Sequence, residues 1–204
     1  MKEKPILFSG DMVRAILEGT KTQSRRIVKP QPDIAVPGPI PGSGVCGRFT
    51  PEDEKFGRLG KTIPCPYGHP GDRLWVRETW AMAHGLPPES HLRHQVLYAA
   101  DYAPGMLGCP ARPSIHMHRW ASRITLEITG VRLERLQEIS DADALAEGCS
   151  AADMKSGDCL ASVYARLWDQ INGPGSWAAN PWVWVIEFKR LSVAGLGKQI
   201  GEIG

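Results

Sequence analysis

Trp182-Val183-Trp184-Val185-Ile186-Glu187-Phe188 is apolar at both alternating sets of positions. A strand of this kind cannot lie at a solvent edge, because both of its faces need cover. It predicts a central strand sandwiched between layers, and the rest of the chain has to supply those layers. Residues 158–171 provide one candidate: Leu160, Val163, Tyr164, Leu167, Trp168 and Ile171 recur at helical spacing and make a continuous stripe. Asn172-Gly173-Pro174-Gly175 ends it.

Other strands are read from alternation. Pro5–Phe8 is a short apolar run. Arg73–Thr79 places Leu74, Val76 and Glu78 on one face and Trp75, Arg77 and Thr79 on the other. Val96–Ala100 is a further short strand. Residues 124–129 and 131–136 alternate on either side of Gly130, which predicts a bulged or hairpin pair. Two short helices are marked by their ends. Residues 11–18 start at Ser9 or Asp11 and stop at Gly19. Residues 140–147 carry a capping box, Ser140 with Asp143, before Gly148. Strands outnumber helices, so the expected class is α+β, with a small, mostly antiparallel sheet or barrel and two or three flanking helices.

Residues 30–71 interrupt this pattern with nine prolines and many glycines and are expected to form a long irregular insertion. Residues 1–190 read as a single domain and 191–204, small and Gly-rich, as a flexible tail. At 204 residues, 42% hydrophobic and 23% charged, the chain can bury a sizeable core. The five cysteines are scattered and odd in number, so no disulfide framework is implied. No apolar run approaches the ~20 residues of a membrane span. The expectation is a cytoplasmic protein with no membrane partner.

The net charge of +2 does not indicate a globally basic nucleic-acid glove. Charge is nevertheless uneven: residues 1–30 carry seven Lys/Arg against three acids. Within that stretch, Gly19-Thr20-Lys21-Thr22-Gln23-Ser24-Arg25-Arg26 sets an amine and a hydroxyl three residues apart among cations. A serine hydroxyl needs a base to become a nucleophile. A lysine becomes that base when burial or neighbouring cations lower its pKa. The same residues also describe an ordinary polar turn. Glu78 shares a strand face with Leu74 and Val76, where poor solvation raises a carboxyl pKa and suits a general acid. It equally suits a salt bridge to Arg77, Arg73 or Lys21. Arg14, Arg25, Arg26 and Lys29 are candidate phosphate ligands. Trp75, Trp80, Tyr98 and Trp120 are candidate base-stacking platforms or core residues. Cys46, Cys65, His69 and Cys109 lack a CxxC pair, so no metal is expected. His116 and His118 alternate as if on one strand face.

Taken together, Lys4-Pro5-Ile6-Leu7-Phe8, Gly19-x-Lys21-x-x-Ser24-x-Arg26 and Gly71-Asp72-Arg73-Leu74-Trp75-Val76-Arg77-Glu78-Thr79-Trp80 resemble the ASCH domain family. So do Arg112–Met117, Trp120–Ile124, Asn172–Trp177 and Asn180–Trp184. The family is related to the PUA RNA-binding fold, and in this fuller form the chain resembles bacteriophage and prophage ASCH-like proteins. The resemblance implies a small β-barrel with helices outside and a nucleoside or RNA ligand, without a cofactor. Some members are amidohydrolases that deacylate N4-acetylcytidine with a lysine, a threonine and a glutamate. By motif these fall on Lys21, Ser24 and Glu78, with serine in place of threonine. The alternatives within the family are a non-catalytic RNA-binding module and a ribonuclease.

Overall fold

The computed structural model describes residues 1–32, 35–37, 45–48, 61–83 and 95–191. Five strands form the main sheet: β1 (Glu3–Leu7), β2 (Gln23–Ile27), β6 (Arg73–Arg77), β9 (Thr125–Arg135) and β10 (Trp182–Arg190). Their order is β1-β6-β9-β10-β2. β1 runs parallel to β6, and every other pairing in this sheet is antiparallel. The architecture is mixed α/β with few helices. Consecutive strands β1 and β2 stand at opposite edges, and no backbone pairing joins them among the described residues. Arg26 reaches across the gap: its Nη2 donates to the Leu7 carbonyl at 2.6 Å.

β10 is the doubly covered strand its sequence predicts. Trp184, Ile186 and Phe188 enter a core with Ile6, Phe8, Leu74, Val76, Leu126 and Ile128. Val183 and Val185 enter a second core on the opposite face. The first core is closed by α1 (Gly10–Glu18) through Val13 and Ile16. The second is closed by α2 (Asp141–Ala146) and α3 (Leu160–Asn172) through Ala144, Val163, Tyr164 and Trp168.

The local signals act as expected at the helix ends. Ser9 Oγ accepts from Met12 N, and Gly19 ends α1 at φ 82°, a left-handed conformation that glycine adopts without a Cβ clash. Ser140 and Asp143 form a reciprocal capping box on α2. The α3 stripe packs into the second core as far as Trp168, whereas Ile171 is 53% exposed.

Two expectations are corrected, and of the bulge and the hairpin expected around Gly130 the bulge is present. Residues 124–136 do not fold into a hairpin at Gly130: β9 runs through it as one strand, and the irregularity is a register shift opposite Glu187 and Phe188 that skips Thr129. A bulge absorbs the extra residue without reversing the chain. The 30–71 insertion is not wholly irregular: β3 (Ala35–Pro37), β4 (Val45–Arg48) and β5 (Lys61–Pro64) form an antiparallel sheet. Pro37 and Pro64 stand at strand ends, where a missing backbone donor costs least. His116 and His118 do not share a strand face. Short 3-10 turns at Ser114–His116 and Arg119–Ala121 occupy that segment, since Pro113 fixes its own φ and cannot donate to a ladder. A separate two-stranded ribbon joins β7 (Trp80–Met82) and β8 (Val96–Tyr98). The proposed tail falls outside the described residues from 192 onward. Among the described residues, no helix is long and apolar enough to cross a membrane.

Candidate functional site

Lys21 leaves α1 through Gly19 and forms an isolated antiparallel bridge with Glu147, just beyond α2. Its Nζ donates to the Glu147 carboxylate and to the Glu147 carbonyl, both at 2.8 Å. The side chain is fully buried. Gly148 makes this approach possible: a Cβ there would sit 3.3 Å from Lys21 Cβ, and its φ of +91° favours glycine in any case. Burial lowers the Lys21 pKa, Glu147 opposes that shift, and the Arg26 charge adds to it.

Arg25 is equally buried and faces three carboxylates: Glu134 at 3.0 Å and Asp143 and Glu147 at 3.3 Å. Arg132 extends the network to Glu134, Asp143 and Glu187. Register explains the grouping, because Arg25 and Arg132 lie in one row across Val185, on the α2–α3 face of the sheet. Ser24 and Arg26 alternate to the other face, beside Ile186 and Trp184. The Ser24 hydroxyl has no hydrogen-bond partner among the described residues.

A cleft of about 420 Å³ wraps the free edge of β2. Ser24, Arg25, Arg26 and Lys29 lie along that edge. Tyr164 and Trp168 of α3 form one wall, and Met12 and Tyr67 the other. Val28 N bonds to Trp182 O, and Phe188 N bonds to Thr22 O. Antiparallel alternation therefore turns the backbone groups of Arg25 and Ile27 outward, away from β10. Neither Arg26 nor Lys29 has a carboxylate partner among the described residues. Arg25 Nε, Arg26 Nε and Trp168 Nε1 are buried N–H groups with no acceptor.

Glu78 lies elsewhere. It is 1% exposed and takes a bidentate ion pair from Arg123, at 2.9 and 3.0 Å. Arg123 also grips Asp101 at 2.6 and 2.8 Å and lies 4.0 Å over the Tyr98 ring. Burial raises the Glu78 pKa, and Arg123 works against the rise. The partner of Glu78 is thus Arg123, not Arg77, Arg73 or Lys21. Lys21, Ser24 and Glu78 sit in separate hydrogen-bonding environments, and of the three only Ser24 lines the cleft.

The remaining candidates disperse. Arg14 pairs with Asp11 and donates to the Ala100 carbonyl, away from the cleft. Trp80 is buried and cannot stack on a base. Trp75 is half-buried between the Arg77 and Arg119 guanidinium groups, at 5.3 and 6.0 Å. Tyr98 is committed to Arg123 and, through its hydroxyl, to the Ala121 carbonyl. No three His, Cys, Asp or Glu side chains among the described residues group as metal ligands. The Cys46 side chain falls outside those residues.

Sequence reasoning did not find Glu147, Glu134, Asp143, Arg132, Asp101 or Arg123 as ion-pair partners. Only Asp143 carried a signal, as a capping residue. No family model, curated protein or solved structure matches this chain.

Proposed function

We propose that the cleft over the β2 edge binds a nucleoside unit of single-stranded RNA, and that the chain is an ASCH-type, PUA-like RNA-binding protein. Its barrel would be closed between β1 and β2 by the Arg26–Leu7 hydrogen bond in place of a backbone ladder. The observation that carries this reading is a pair of cations with no carboxylate partner among the described residues, Arg26 and Lys29, flanking a cleft lined by Tyr67, Tyr164 and Trp168. Phosphate needs uncompensated cations, and a base needs flat apolar walls. Arg25 contributes structure instead, since three carboxylates already neutralise it.

The test is fluorescence anisotropy of a labelled single-stranded RNA between ~50 and ~200 mM salt. Affinity falls with salt, and Lys29→Ala lowers the slope by about one. Absence of binding, or binding indifferent to salt, refutes the reading.

A second reading, amide hydrolysis of an acylated base, is favoured by the Ser24 hydroxyl, which lines the cleft and has no hydrogen-bond partner among the described residues. Neutral Lys21 would take the Ser24 proton, and Ser24 Oγ would attack the acyl carbonyl. Glu78 would protonate the departing nitrogen as the C–N bond breaks, and water would release the acyl group from Ser24. Lys21 would first have to exchange Glu147 for Ser24, and Glu78 would have to reach the cleft. Incubation with N4-acetylcytidine, read by chromatography, decides it. Cytidine formed by the wild type and lost in Ser24→Ala supports hydrolysis, whereas no cytidine, or equal turnover in both, ends it.

A further inference from the structure

The segment from Tyr102 to Leu126 contains three arginines and two histidines and no acidic residue. Within it Trp120 is 66% exposed. This indole is fixed from beneath. It meets the buried Trp80 edge-on, with ring centroids 5.9 Å apart at 89°, and lies nearly parallel to the exposed His118 ring, 6.3 Å away at 10°. His118 is itself edge-on to Trp80, 6.4 Å away at 84°. Arg112, exposed and without a carboxylate partner among the described residues, lies 5.2 Å over the Trp80 ring. Arg77 pins the segment by donating to the Ile115 and Met117 carbonyls.

A large exposed apolar ring is normally mobile or covered. Here it packs against Trp80 and His118 and is left open beside a guanidinium with no carboxylate partner among the described residues. Of the segment's three arginines, Arg119 pairs with Glu3 and Arg123 with Glu78 and Asp101, which leaves Arg112 as the one without a carboxylate partner among the described residues. A guanidinium free of carboxylates beside an exposed indole matches a phosphate next to a base, whose π face stacks on any aromatic ring.

We infer that the Trp120–His118 face is a stacking platform for single-stranded nucleic acid, with Trp120 receiving a base and Arg112 an adjacent phosphate. The inference rests on the RNA reading above but uses a surface outside the β2 cleft. Trp80, buried, is a positioning residue for this platform.

The experiment measures anisotropy of fluorescein-labelled oligouridylate and oligothymidylate with wild type, Trp120→Ala, Trp120→Phe, Arg112→Ala and Lys29→Ala. Trp120→Ala weakens binding about tenfold, and Trp120→Phe recovers most of it, because stacking tolerates any aromatic ring. Arg112→Ala lowers the salt slope by about one. The Trp120 effect persists in a Lys29→Ala background if the platform is independent of the cleft. Equal effects on both oligomers mark a platform blind to the 2′-hydroxyl. Wild-type affinity in Trp120→Ala overturns the platform while the cleft reading stands if Lys29→Ala still weakens binding. Absence of binding by the wild type overturns both. Unfolding curves of Trp120→Ala should overlay the wild type, so lost affinity cannot be lost fold.

Discussion

Replacing Glu147 with alanine isolates the energetics of the buried network. Lys21 loses its only carboxylate partner among the described residues, while Arg25 retains Glu134 and Asp143. Breaking a buried pair by removing one partner costs about 3–5 kcal/mol, because a charge is left without compensation. Lys21 keeps its 2.8 Å hydrogen bond to the residue-147 carbonyl, which survives the substitution. The lower end, about 3 kcal/mol, is therefore expected. For a chain of this size each kcal/mol moves Tm by roughly 2–4 °C, so calorimetry should record a loss of roughly 6–12 °C at neutral pH. The pH dependence gives a second reading. Burial lowers the folded-state pKa of Lys21 beneath its ordinary 10.5, so the unfolded chain binds this proton more tightly. The resulting penalty is full below the folded value and vanishes as pH climbs toward 10.5. Glu147 opposes the shift; without it the shift grows, and the deficit of the variant shrinks as pH rises. The double variant Lys21→Met with Glu147→Leu, which removes both charges, should regain most of the lost stability. A Tm loss below ~2 °C, or a double variant as unstable as the single one, would refute the argument from an orphaned charge.

Two further outcomes follow from the same cores. Burial raises the Asp143 pKa, but hydrogen bonds from Gln23 and Ser140 and the Arg25 charge outweigh it and hold the carboxyl below its ordinary 3.8. Its contribution is present above that value and lost as pH falls through the folded one. Asp143→Asn should therefore be less stable than wild type at neutral pH, with the gap in denaturant midpoint closing below about pH 4. Trp184→Ala removes a side chain that is 1% exposed at the centre of β10 and should cost about 3–5 kcal/mol in urea unfolding. A cost under ~1 kcal/mol would mean that the first core closes around the gap.

Local chemistry carried most of the fold into the sequence. The caps of α1 and α2, the stripe of α3 and the double-sided apolar run of β10 are short-range patterns, and each fixes its own element. The burial of Lys21 and Glu78 was half legible: alternation with Leu74 and Val76 places Glu78 inside. Its partner was not legible, because Arg123 is 45 residues away and Glu147 is 126 residues from Lys21. Ion pairs formed by tertiary packing leave no period in the chain. The 112–121 segment misled for the opposite reason: two histidines spaced as in a strand sit in 3-10 turns, where a proline and the packing of Trp80 override alternation. Trp80 and Trp120 look alike as letters, yet one is core and the other surface.

The sheet order bears on how the chain is made. β2 leaves the ribosome well before its only ladder partner among the described strands, β10, which ends at Arg190. While the intervening residues are made, β2 therefore holds Ser24, Arg25 and Arg26 beside a strand that does not yet exist. Long-range pairing of this kind is slow and leaves an exposed edge while it waits. The cleft, whose floor is that edge and whose wall is α3, cannot be complete before β10 pairs with β2. A nascent chain halted before β10 would carry every residue of the Gly19–Arg26 segment and still lack the cleft.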